Sequence, residues 1–312
     1  MAAPQATDLR ITIDQHSGFC FGVVRAIEMA EQELELQAPL LCLGDIVHNE
    51  EEVRRLTNLG LKTIHYPDLQ TCAAHQRVLF RAHGEPPTIY QQAKKQALTI
   101  VDATCPVVVR LQRLVASRGQ ALKANGGQII IYGKPDHAEV NGLLGQTDCE
   151  RHVVLTTQDL LPLQFNRPTD CFSQTTMDPT QYQQIAEAIR SKMQEAYQGP
   201  DIPLQVHNTC CGQVSHRRRQ IAQFAEAHDL ILFVSGQKSS NGHMLFATCQ
   251  RANPRAYLVS HDNDVKPEWL QHVHSVGICG ATSTPRWLME NVARKVSTLY
   301  TSLLTSSTHD TP

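Results

Sequence analysis

SGFCFGVVRAIEMAEQEL, residues 17–34, sets a cysteine between the alternating apolar residues Leu9, Ile11 and Ile13 and a run with helical periodicity. The same succession occurs twice more. Cys105 follows Ile100 and Val101 in TIVDATCP and precedes a second helical pattern, and Cys210 and Cys211 follow Leu204 and Val206 and precede GQVSHRRRQIAQFAEA. A thiol where a helix begins lies at the positive end of the helix dipole, which favours the thiolate. Thiolates bind soft metals and iron–sulfur clusters. Three such places in one chain point to three lobes that each deliver one ligand to a shared centre.

The bulk numbers restrict the class of protein. The chain has 312 residues, which predicts more than one compact unit. Its 41% hydrophobic and 19% charged residues describe an ordinary globular protein. Net charge is −2, so no overall basic field argues for nucleic acid. The cluster His216–Arg219 reads as a solvated helix face. No run approaches the roughly 20 apolar residues of a membrane span, and the first ten residues lack the apolar core of a secretory signal. The expectation is a cytoplasmic protein, where disulfides are rare. Of its 10 cysteines, Cys42, Cys149, Cys171, Cys249 and Cys279 lie in or beside apolar segments and read as core filling. Cys72 has no assignable role.

Short apolar strands alternate with amphipathic helices. Strands are predicted at 40–47, 77–82, 128–132, 152–155, 170–174, 230–235, 256–259 and 275–279. Several are continuous apolar runs, as suits strands covered on both faces of a parallel sheet. Helices are predicted at 50–59, 86–97, 106–124, 179–197, 213–228, 241–252 and 285–303. The first has Asn49 as cap, Glu52 three residues on, Val53, Leu56 and Leu59 on one face, and Gly60 as stop. This alternation means α/β. Neither the dinucleotide-binding nor the P-loop glycine pattern is present, which removes weight from nicotinamide, flavin and nucleotide-hydrolysis chemistry.

In open α/β sheets ligands bind beyond the carboxyl ends of the strands. Those ends here carry His48-Asn49, His83-Gly84-Glu85, His137 with Glu139, Thr175-Thr176, Ser239-Ser240-Asn241 and Thr282-Ser283-Thr284. A single histidine at a strand end is ordinarily a loop or capping residue, and a Ser-Ser-Asn string ahead of a helix is ordinarily an N-cap cluster. Together the set supplies the donors that an anionic diphosphate needs. Glu139 can pass protons among histidines. As a plain alternative, it is a glutamate in the first turn of a helix. A structural zinc site takes four ligands, usually from close-spaced Cys-x-x-Cys pairs, which are absent. A 4Fe–4S cluster on three cysteines leaves one iron without a protein ligand.

The strings SGFCFGVVRAI, LGDIVHNEEEV, RAHGEPP, VDATCPVV, HAEVNGLLGQT, SQTTMD, SGQKSSNG and GATSTPRWLMENV together resemble the 4-hydroxy-3-methylbut-2-enyl diphosphate reductase (IspH/LytB) family, over about residues 9–297. The resemblance implies a trefoil of three pseudo-equivalent α/β lobes around a central 4Fe–4S cluster, one per chain. The implied division is a strand at 9–20 packing with the third lobe, lobes at 21–105, 106–205 and 206–300, and tails at 1–8 and 301–312. Implied metal ligands are Cys20, Cys105 and Cys211. Cys211 is preferred to Cys210 because the family spacing of cysteine, five residues, arginine then lands on Arg217, although His216 stands where the family usually has asparagine. Implied substrate-binding residues are His48, His83, His137, Thr175, Ser239, Ser240, Asn241 and Ser283. Glu139 is the implied proton donor, with Thr175 helping to deliver the proton. The implied reaction is reductive dehydroxylation to isopentenyl and dimethylallyl diphosphate, the last step of the non-mevalonate isoprenoid pathway, with electrons from ferredoxin or flavodoxin. Two rivals share the cysteines: a redox-neutral dehydratase using the open iron as a Lewis acid, and an iron–sulfur sensor or structural metal protein. Dependence on added reductant separates the first, and the polar strand ends argue against the second.

Overall fold

A computed structural model of the protein describes residues 9–237 and 239–307, without the side chains of residues 214, 215, 240, 306 and 307. These residues divide into two compact units. One comprises the chain up to Val24, Val47–Leu59 and the chain from His216 on; the other comprises Arg25–Ile46 and Gly60–Ser215.

In chain order, β1 (Arg10–Ile13) leads into α1 (Phe21–Leu36). There follow β2 (Leu40–Leu43), α2 (Glu50–Asn58), β3 (Leu61–Ile64), β4 (Arg77–Phe80), α3 (Pro87–Lys95) and β5 (Thr99–Asp102). The next stretch is α4 (Pro106–Ala124), β6 (Gln128–Tyr132), α5 (Ala138–Leu144), β7 (Glu150–Val154), β8 (Thr169–Ser173), α6 (Pro179–Tyr197) and β9 (Leu204–Val206). The last is α7 (Gly212–Ser215), α8 (Arg217–Glu226), β10 (Leu230–Val234), α9 (Ser240–Ala252), β11 (Ala256–Val259), β12 (Ser275–Gly280) and α10 (Arg286–Ser307).

The second unit holds the sheets β3-β2-β4-β5 and β7-β6-β8-β9; the first holds β1-β12-β10-β11. All pairings are parallel. The three sheets correspond strand for strand, and this is the expected three-lobed α/β architecture. The N-terminal strand β1 pairs with β12, Ile11 opposite Val276, and so takes in the third sheet the place of β5 and β9 in the others.

Two-sided burial explains why the central strands read as unbroken apolar runs. In β6, Ile129 and Ile131 face Leu111, Val115 and Val140 of α4 and α5, while Ile130 and Tyr132 face Ile185, Ile189 and Met193 of α6. In β10, Leu232 and Val234 face Leu288 and Val292 of α10, and Ile231 and Phe233 face Ile221 of α8 and Leu245 of α9. Each such fully buried side chain contributes about 1.5–3 kcal/mol of transfer free energy.

Several boundaries differ from the sequence reading. Strand β3 has an LKTI pattern with only Leu61 buried, too little periodicity to read. The helix expected at 213–228 is two, α7 and α8, separated at His216. The last helix continues to Ser307, past the 301 at which a tail is expected. Leu59, expected on the buried face of α2, is 50% exposed; it is the C-cap, where the helix has already turned away from the core. The five cysteines expected in the core are buried. Burial pushes the Cys42 and Cys171 thiols up to about 12, which makes them inert fillers.

Candidate active site

Cys20, Cys105 and Cys211 each follow the strand at one edge of a sheet: β1, β5 and β9. Each is half-buried. Each also makes the same main-chain bond. The amide of Cys20 donates to the Thr282 carbonyl (3.1 Å), that of Cys105 to Ala82 (3.0 Å) and that of Cys211 to Thr175 (2.8 Å). Every acceptor lies two residues beyond the neighbouring strand (β12, β4 or β8), so each thiol is tied to a polar strand-end loop. Cys105 is the N-cap of α4, yet its side chain makes no capping bond, and Pro106 begins the helix without needing an amide donor. Cys210 differs. It packs against the Ile185–Met193 side of the second sheet, and burial raises its thiol.

In the first unit the polar residues gather around the start of α9. Ser239 is its N-cap, accepts from the Gly242 amide (3.1 Å) and lies 3.1 Å from the Ser283 hydroxyl. Asn241 donates to the Thr282 hydroxyl (2.9 Å). Ser240 opens α9, and its side chain is outside the described set. His48 precedes Asn49, which caps α2 by accepting from the Glu52 amide (3.1 Å). Gly236 packs so closely on this turn that an added Cβ would fall 2.8 Å from the His48 carbonyl oxygen. His48 and the Ser239 loop are thus held together by backbone contact.

In the second unit, His83 and His137 meet edge to face with ring centroids 5.3 Å apart. His137 is the N-cap of α5, and its Nδ1 accepts from the Glu139 amide (3.2 Å). With Nδ1 accepting from an amide, Nε2 is the ring nitrogen placed to donate. Glu139 is 1% exposed. Its carboxylate accepts from the Thr175 amide (2.6 Å) and the Thr175 hydroxyl (2.9 Å). Burial is the largest influence and pushes its pKa up to about 7, while the two bonds from Thr175 work in the opposite direction. The helix-first-turn reading of Glu139 is correct as to place, but its carboxyl group turns inward.

Three neighbours have surroundings that the sequence left undefined, although Glu85 stood in a polar strand end and Arg217 in the family spacing. Gln112, on the buried face of α4, brings its amide nitrogen up to Gly84 and Gly142; an added Cβ at these glycines would lie 2.5 Å and 3.2 Å from it. Glu85 is fully buried and takes a bond from the Tyr66 hydroxyl (2.6 Å). Arg217 corrects the solvated-face reading of the His216–Arg219 cluster: it is buried, with its guanidinium bonded to the Gly18 carbonyl (3.4 Å), and burial lowers its pKa against the opposing pull of the Asp14 carboxylate. The solvated part is His216 and Arg219. Periodicity cannot find such residues, because each is defined by a partner far along the chain.

Fold and strand ends define a three-sheet α/β protein that presents half-buried thiols and hydrogen-bonding groups at equivalent carboxyl ends. The chain belongs to the LytB family: residues 11–297 match the family model described as LytB protein. A relative from Porphyromonas gingivalis is 48% identical over 93% of this chain and 99% of its own length. Another from Parabacteroides distasonis is 46% identical over 93% and 98%. Both bear the name 4-hydroxy-3-methylbut-2-enyl diphosphate reductase. A solved structure of (E)-4-hydroxy-3-methyl-but-2-enyl diphosphate reductase, described as the terminal enzyme of the non-mevalonate pathway, superposes with TM-score 0.72 at 29% identity, covering 93% of this chain and 99% of that one. The E-1-hydroxy-2-methyl-but-2-enyl-4-diphosphate reductase of Plasmodium falciparum gives TM-score 0.77 at 26% identity, covering 92% and 87%.

Proposed function

We propose that this chain reduces 4-hydroxy-3-methylbut-2-enyl diphosphate to isopentenyl and dimethylallyl diphosphate. The allylic C–O bond breaks and a C–H bond forms; two electrons and two protons enter and one water leaves.

Cys20, Cys105 and Cys211 would hold a 4Fe–4S cluster. The donor set fits: three half-buried thiols at equivalent places, each amide already committed to a neighbouring loop. Beside Cys20, the buried Arg217 keeps an Nε with no hydrogen-bond partner among the described residues, a positive charge suited to an anionic tris-thiolate group. When bound, such a cluster supplies electrons and an open coordination position for an oxygen ligand.

The remaining steps belong to side chains. His48, His83, His137, Ser239, Ser240, Asn241 and Ser283 would bind and orient the diphosphate as donors, His137 through Nε2. Glu139 would supply a proton, with the Thr175 hydroxyl as the group that passes it on. The observation that carries this reading is one short chain of bonds: Glu139 is held at both carboxylate oxygens by Thr175, whose carbonyl accepts from the amide of Cys211. An acid close to neutrality is thereby fixed to the segment that bears a cluster ligand. Electrons would come from a separate ferredoxin or flavodoxin, in the cytoplasm. Among the described residues no helix is long and apolar enough to cross a membrane.

Glu139→Gln tests the assignment. It removes the transferable proton with little change in volume, so iron content and diphosphate binding should persist while turnover falls about 10²–10⁴-fold. Near-normal turnover would exclude Glu139 as donor. In the unmodified protein, ⁵⁷Fe Mössbauer spectra should contain one distinct iron that changes when substrate is added; absence of iron after anaerobic reconstitution would favour a different metal chemistry.

A further inference from the structure

The helix opened by Cys105 has an unusual charge inventory. PVVVRLQRLVASRGQALKA, α4, contains Arg110, Arg113, Arg118 and Lys123 and no acid. Two of the four cations are matched: Arg118 pairs with the buried Asp170 (2.5 Å), and Lys123 reaches Asp148 (3.6 Å) at the far end. Arg110 and Arg113 are exposed and make no ion pair among the described residues. With Pro106 and Ser117 they share one face, at spacings of four, three and four residues, and all four positions are exposed. Val107, beside them in the first turn, is 42% exposed. At a rise of about 1.5 Å per residue, Arg110 and Arg113 lie only about 8 and 12 Å along the axis from Cys105. An apolar first turn next to a half-buried thiol, backed by two uncompensated arginines, stands out on a chain whose net charge is −2.

The helix that follows Cys20 gives the contrast. It too begins with exposed apolar residues, Phe21 at 56% and Val24 at 36%. Its one arginine, Arg25, is already turned to the Thr104 carbonyl (3.2 Å), and the face beyond carries Glu28, Glu31 and Glu35. An acidic protein would be repelled from α1 and attracted to α4.

We infer that the outer face of the first half of α4 (Pro106, Val107, Arg110 and Arg113) is the docking surface for the electron donor, a small acidic one-electron carrier protein. The inference rests on the reading of Cys105 as a cluster ligand. Two docking events serve one turnover: each carrier gives up one electron and leaves oxidised, and the pair supplies the two electrons that the C–O cleavage consumes. The arginines steer and hold the carrier, the apolar turn excludes water at the contact, and the Cys105 side is the point of entry.

The test uses the cluster-loaded enzyme with a plant-type single-cluster ferredoxin, an acidic one-electron carrier, as probe. In the double variant Arg110→Glu/Arg113→Glu, calorimetric Kd for oxidised ferredoxin and KM for reduced ferredoxin should each rise at least about tenfold at low salt, and the salt dependence of binding should flatten. Turnover driven by dithionite-reduced methyl viologen should stay unchanged, because the dye needs no docking surface. Arg110→Lys/Arg113→Lys, which keeps the charge, should retain ferredoxin affinity, which separates lost charge from a damaged helix. Unchanged ferredoxin Kd and KM in the Glu double variant would overturn the inference. So would an equal loss in the Lys variant, or a tenfold rise in KM produced instead by Arg219→Glu on α8. Failure of the reductase reading shows differently: the unmodified enzyme would then not turn over with viologen either.

Discussion

Glu139 is the residue whose environment most directly sets a measurable property. A donor must be protonated, and burial raises this carboxyl to about 7. Turnover should therefore be level below that pH and fall tenfold per unit above it, with the break absent from the residual activity of Glu139→Gln. Thr175→Val sharpens the sign. The hydroxyl donates to the ionised form and so lowers the pKa; its loss should move the break to higher pH while the Thr175 amide bond remains. A break that moves to lower pH would mean that the hydroxyl does not serve the carboxylate in solution. The adjacent cysteines offer a second residue-scale test. Cys211→Ser should lose iron, whereas Cys210→Ser should retain it, since Cys210 packs against the apolar side of the second sheet. Iron analysis after anaerobic reconstitution reads the result directly, and the reverse pattern would move the ligand by one position.

At the scale of elements, α5 is positioned by what fits beside it. Gly142 lies on this helix, one turn after Glu139, and an added Cβ there would fall 3.1 Å from the Gly84 carbonyl and 3.2 Å from the Gln112 amide nitrogen. Gly142→Ala should push the His83 loop away from His137, raise KM for the diphosphate several-fold and cost about 1–3 kcal/mol of stability. Unchanged KM and melting temperature would show that the loop moves freely. This part of the site was only half legible in sequence. His83, His137 and Glu139 stood out because they follow apolar strands. The helix α5 showed only through the first-turn reading of Glu139, because it spans 7 residues with a glycine inside, too few for a periodicity. Conversely α4 and α6 read correctly from end to end: Pro106 and Pro179 mark their starts, and each runs for 19 residues. Capping at α2 was readable from Asn49, yet Glu52 does not close a capping box; its side chain accepts from Arg55 and from the Trp287 indole (2.8 Å) on α10. No local rule foresees a partner 235 positions away.

For the molecule as a whole, the decisive feature is that the last sheet is completed by the first strand. Arg10–Ile13 pairs with Ser275–Ile278, and the link continues past the strand, where the Asp14 amide donates to the Ile278 carbonyl (2.8 Å) and the Ser17 hydroxyl accepts from the Gly280 amide (2.9 Å). The sequence carried a hint of this in the threefold strand–cysteine–helix succession, but pairing across such a separation leaves no periodic trace. The consequence concerns Cys20, which sits between β1 and α1 and is fixed through the Thr282 carbonyl just beyond β12. Deleting residues 1–13 spares all three cysteines while removing the strand that anchors one of them. It exposes the edge of β12 and withdraws Ile11 and Ile13 from the core formed with α10. The shortened chain should melt several degrees lower and bind substoichiometric iron after reconstitution, although Cys105 and Cys211 keep their bonds to Ala82 and Thr175. Thermal melting and iron content per chain measure the two effects separately. Full iron loading in a chain with a lowered melting point would mean that the Cys20–Thr282 bond alone suffices to place the first thiol, and that β1 serves stability and not the metal site.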